Sequence, residues 1–165
     1  MKRAPRMMVF IAVDHDRATA LRETGRSEDE FVAFAATGQM ITAHDYRPDE
    51  REDADYAAQL YASVAGLSSG KASLRLVIAA DVPIARVRDG RTDADYGAIL
   101  VSGLDWADVT AVFVDEPAAA EAVGSAREAI AAAQDADLAE ILELPAVTAL
   151  TDDHELLWHT PDEDW

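Results

Sequence analysis

The 165-residue chain is strongly acidic, with 32 Asp+Glu against 14 Lys+Arg for a formal net charge of −18, and it has no cysteine. The missing cysteines exclude a disulfide framework and a thiolate metal site and suit a reducing cytoplasm. The charge argues against direct binding to nucleic acid or anionic lipid, and the length fits one domain over 1–165 that buries roughly 70% of its unfolded surface.

The acidity is uneven. Residues 1–91 carry 13 Lys+Arg and 14 Asp+Glu, whereas residues 92–165 carry Arg127 alone against 18 acids. Solubility is the plain reading of that C-terminal charge; salt adaptation or mimicry of a nucleic acid backbone would give a similar balance. Only Lys2 and Lys71 are lysines and 34 positions are alanine, which reads as a GC-rich bacterial coding bias. The apolar run after the basic MKRAPRMM ends at Asp14, too short for a signal peptide, and no stretch is long enough to span a membrane.

Met8 to Val13 is apolar throughout, as in a strand buried on both faces. Asp16 is placed to cap a short helix over Arg17 to Glu23 that Gly25 closes, and Ser27-x-x-Glu30 has the form of a capping box opening a second helix before Gly38. Met40 to His44 reads as a brief strand. Tyr56, Leu60, Val64 and Leu67 then make an amphipathic stripe ended by the Gly66 to Gly70 stretch. Ser73 to Val82 is the expected spine of the sheet, since Leu74, Leu76, Ile78, Ala80 and Val82 alternate on one face and Pro83 ends the ladder. Beyond the turn at Asp89-Gly90, strands are expected over Gly97 to Ser102 and Val109 to Val114, with one helical turn between them at Asp105 to Asp108. Helices follow over Pro117 to Gln134 and over Asp137 to Leu144, the latter ended by Pro145. Glu155 to His159 is the last strand, so that residues 152–165 form a final strand and an acidic tail. The strongest elements give β-α-β-β-α-β, which predicts an α+β fold. Its sheet is expected to be mixed, mainly antiparallel and in ferredoxin-like (split βαβ) order, with insertions.

Four stretches, DYAAQLYASVAG at 55–66, LRLVIAADVP at 74–83, GLDWADVTAVFVDEP at 103–117 and DDHELLWHTPDE at 152–163, resemble a family of small cytoplasmic actinobacterial proteins of unknown function with a closing D-H-E-L-L-W segment. The resemblance implies no activity and no cofactor, so no residue role comes with it.

The densest polar cluster is Asp153-His154-Glu155, next to Trp158. A carboxylate, an imidazole and a second carboxylate could bind a divalent ion, but neighbours on an extended strand point to opposite faces. The structural reading is therefore preferred: Asp153 caps a turn, His154 bonds a carbonyl, and Trp158 plugs the core. Asp14 and Asp16 resemble the aspartate pair of haloacid-dehalogenase-like phosphohydrolases and are weak metal candidates, since a helix cap explains the same letters. Asp81, Asp115 and Glu116, at strand ends, read as acids on a solvated rim. The expected function is a non-enzymatic acidic interaction or regulatory module, with Trp106, Trp158 and Trp165 as aromatic anchors for a partner of basic surface or for self-association. The alternative is a small metal-dependent phosphohydrolase.

Overall fold

The computed structural model describes residues 4–90 and 92–165. Met1 to Arg3 of the basic N-terminus, and Arg91 beyond the Asp89-Gly90 turn, lie outside the described residues.

Seven strands form one sheet: β1 Arg6–Ala12, β2 Arg26–Phe34, β3 Leu76–Pro83, β4 Val87–Asp89, β5 Ala98–Asp105, β6 Val109–Val114 and β7 Leu157–His159, in the order β4-β5-β2-β1-β3-β6-β7. Among the described residues six α-helices accompany it: α1 His15–Thr24, α2 Gly38–Ala43, α3 Arg51–Ser69, α4 Ala120–Ala132, α5 Leu138–Leu142 and α6 Pro145–Asp153. The fold is α+β with an antiparallel sheet. It does not follow the ferredoxin-like order, in which strands joined by a helical crossover lie parallel: here β1 pairs antiparallel with both β2 and β3.

The departure begins at residues 26–34. Ser27 and Glu30 do not open a helix; the segment is β2, paired with β5 from Arg26↔Asp105 to Phe34↔Ala98. Phe31 and Ala33 are buried while Val32 between them is 60% exposed, a period of two that outweighs the capping letters. The cap of α1 is Asp14, whose carboxylate accepts the Arg17 amide at 2.7 Å; Asp16 sits exposed in the first turn. Residues 40–44 are mostly α2 instead of a strand, capped by the Thr37 hydroxyl on the Met40 amide at 3.1 Å. Pro145 opens α6 at its first turn, where its missing amide proton costs nothing, instead of ending the preceding helix for good.

The sheet has to curl. β5 and β6 are four strand spacings apart in the order, about 19 Å if flat at ~4.8 Å each. Only Trp106–Asp108 joins them, and four Cα steps reach at most about 15 Å. β1 and β2 accordingly meet at a single register pair, Phe10↔Phe34, and β2 and β5 turn across β1, β3 and β6. The inner face of this curl is one buried cluster drawn from both halves, Val9, Ile11, Ile78, Val82 and Val112 with Phe31, Val101 and Leu104, plugged by Ala18 and Leu21 of α1.

The outer face carries α3, α4, α5 and α6 on Phe10, Phe34, Val77, Ala79 and Ala111. In α3 the buried side is mostly alanine (Ala54, Ala57, Ala58 and Ala62, with Val64 and Leu67), while Tyr56, expected on the stripe, is 56% exposed. Small residues let the helix come close. A methyl placed on Gly66 would stand 2.6 Å from Ala12 Cβ.

Candidate interaction surface

The C-terminal segment is held by a buried ion pair that sequence reading missed. Arg75, just before β3, donates from Nε and Nη2 to the two Asp115 carboxylate oxygens at 2.9 and 2.8 Å, and from its backbone amide at 2.8 Å. The Arg75 side chain is 3% exposed and that of Asp115 fully buried, so Asp115 is not the solvated rim acid expected of a strand end. Arg75 Nη2 also donates to the His154 carbonyl at 2.8 Å. One guanidinium thus joins the start of β3, the end of β6 and the turn where α6 leads into β7. A bidentate, charge-assisted arrangement of this kind has narrow geometry, so it fixes the position of that turn.

Around this anchor the sequence candidates separate. The His154 ring lies 3.2 Å from a Glu116 carboxylate oxygen, where a carbonyl partner was expected. Asp153 is the last residue of α6, and it and Glu155 are exposed. Among the described residues no group of three or more His, Asp or Glu is placed to hold a metal ion, and Asp14 is engaged as a helix cap. Asp81 faces Arg6 at 3.5 Å in a half-exposed pair.

The three tryptophans part company as well. Trp106 is half-buried, its ring 6.1 Å from that of Trp165. Trp165 in turn lies under the Arg22 guanidinium at 4.5 Å, and its carbonyl is 2.7 Å from His15 Nε2. Both indoles therefore close the mouth of the curl against α1. Trp158 does not plug the core; it is 59% exposed, and Leu157 beside it is 48% exposed. They stand on β7, which pairs with β6 from Val114↔Leu157 to Val112↔His159 and ends the sheet, leaving its other edge unpaired among the described residues.

Residues 7–164 match the model of a family of unknown function, DUF6912. The chain belongs to that family. The matched span takes in the Arg75–Asp115 pair, α6 and β7, whereas no curated protein and no solved structure matches the chain.

Charge completes the surface. Asp152, Asp153 and Glu155 precede β7, and Asp162, Glu163 and Asp164 follow it, all exposed. Hydrogen bonds from the Thr160 amide and hydroxyl hold the Glu163 carboxyl below its ordinary range, so this acid stays ionised well into mild acid. Exposed Leu157 and Trp158, on opposite faces of an edge strand with carboxylates before and after it, are what β7 presents. No helix of the described residues is long and apolar enough to cross a membrane.

Proposed function

We propose that the protein is a non-enzymatic interaction module of an actinobacterial cytoplasm that docks an extended, basic segment of a partner protein along the free edge of β7. The observation behind this reading is the adjacency of exposed Leu157 and Trp158 on the last strand of the sheet. An open edge offers backbone amides and carbonyls to an added strand, and side chains beside it confer selectivity. Tryptophan is the residue type that most often supplies the energetic centre of such contacts.

The six flanking acids define the partner. Lysine or arginine placed on either side of the docked residues would meet a carboxylate at each end, speeding encounter and fixing register. A second copy of this chain would bring the same acids and its own −18 to the same edge, so charge disfavours self-association there. The test is fluorescence anisotropy of a labelled Lys-Val-Lys-Val-Lys peptide titrated with the full chain. Saturable binding is expected, weakening as salt rises and lost in Trp158→Ala but kept in Tyr56→Ala. Equal binding by the wild type and Trp158→Ala would refute the assignment.

A further inference from the structure

A separate cleft of about 240 Å³ opens where β1 ends and β3 begins, walled by the last turns of α3 and by Arg17 of α1. Arg17, Arg75 and Arg127 line it, with Asp14 as the one acid. In a chain with more than twice as many acids as bases, that composition is inverted. Asp14 is committed to the Arg17 amide, and Arg75 is neutralised by Asp115. Arg17 lies 4.4 Å over the Phe31 ring and reaches only the exposed Asp29, at 3.3 Å.

Arg127 is the unbalanced group. It has no carboxylate partner among the described residues, although 18 acids share residues 92–165 with it. Its Nη1 donates to the Leu67 carbonyl at 2.8 Å and to the Gly70 carbonyl, while Nε is buried without a partner. A half-buried guanidinium stays charged, and holding it with no counter-charge is unfavourable unless something supplies one. Ser69 at the end of α3 also lines the cleft, and the loop after it adds, between two lining residues, exposed Lys71.

We propose that this cleft binds a small oxyanion, a phosphate or carboxylate group on a short carbon skeleton, with Arg127 as its counter-charge and Arg17 as the second donor. The space is ample for a molecule of that size. The site is independent of the β7 edge, and neither Arg17 nor Arg127 takes part in the ion pair that fixes the β7 turn.

The experiment is thermal unfolding of the full chain in inorganic phosphate, in succinate, and in sodium chloride at matched ionic strength. Phosphate or succinate at a hundred times its Kd should raise Tm by about 5–10 °C relative to chloride, and the stronger of the two identifies the preferred group. Arg127→Gln should abolish that rise and Arg17→Gln should weaken binding about tenfold, whereas Arg47→Gln, at an exposed position, should leave it unchanged. Equal curves in all three salts, or an undiminished rise in Arg127→Gln, would overturn the proposal. Should Arg127→Gln fail to fold, the side-chain Nε resonance of Arg127 in the wild type decides: movement on phosphate addition while Arg47 stays still supports the site, and a stationary Arg127 signal refutes it.

Discussion

Replacing Asp115 by Asn tests whether the buried pair is the anchor of the C-terminal segment. The substitution keeps the shape and one oxygen acceptor but removes the negative charge paired with a guanidinium whose side chain is 3% exposed. Removing one partner of a buried pair typically costs about 3–5 kcal/mol, because the remaining charge stays desolvated. A protein of this kind has about 5–15 kcal/mol of stability in total, so about a fifth or more of it is at stake. At roughly 2–4 °C per kcal/mol, Tm should fall by about 6–20 °C. Urea unfolding followed by far-ultraviolet circular dichroism measures the loss directly. Arg75→Met with Asp115→Leu removes both charges and should be more stable than Asp115→Asn alone by at least about 1 kcal/mol, since apolar replacement of a whole buried pair is often near neutral. A loss under about 1 kcal/mol in Asp115→Asn, or a double variant worse than either single one, would refute the reasoning.

The other predictions concern packing and pH. Gly66→Ala should lower stability by about 1–3 kcal/mol, because its methyl meets Ala12 Cβ at 2.6 Å; Gly124→Ala, in α4 with nothing within 4 Å, should raise it by about 1 kcal/mol. Urea midpoints of the two variants should thus move in opposite directions. Burial, and after it the charge of Asp137, raises the Asp93 carboxyl above its ordinary value of 3.8. The folded state then holds that proton more tightly than the unfolded chain, so stability falls as pH rises from 3.8 through the raised value, and the penalty is complete above it. Asp93→Asn should therefore be more stable than wild type near pH 7, with the difference fading near pH 3. Asparagine also tolerates the left-handed φ of 59° found there. A variant less stable than wild type at neutral pH would contradict the sign.

The strands that were legible are those whose pattern is local. β3 shows its alternation in its own letters, and β6 spans the same residues, Val109–Val114, that its apolar run predicts. β2 was hidden because Arg26 to Glu30 offers only polar side chains, and Ser27-x-x-Glu30 imitates a helix start. What decides its state is the ladder to β5, formed with residues about 70 positions away in sequence. The same holds at the candidate surface. Arg75 and Asp115 each look like ordinary polar residues at a strand boundary, and only the pairing of Leu76 with Val114 brings them together. Trp158 reads from the sequence as a core plug, yet it is 59% exposed. Its exposure follows from β7 being the last strand of the sheet, which no local pattern states. The acidic tail was legible as charge, but not the folding of Trp165 back onto Trp106 and α1.

Amide hydrogen exchange across β7 is the most direct measurement of partner docking on the sheet edge. With the Lys-Val-Lys-Val-Lys peptide bound at low salt, the backbone amides within Leu157 to His159 that face away from β6 should exchange several-fold more slowly, and the protection should vanish at about 0.5 M salt as the flanking carboxylates are screened. Protection that appeared elsewhere, with these outward amides unchanged at saturating peptide, would contradict the account.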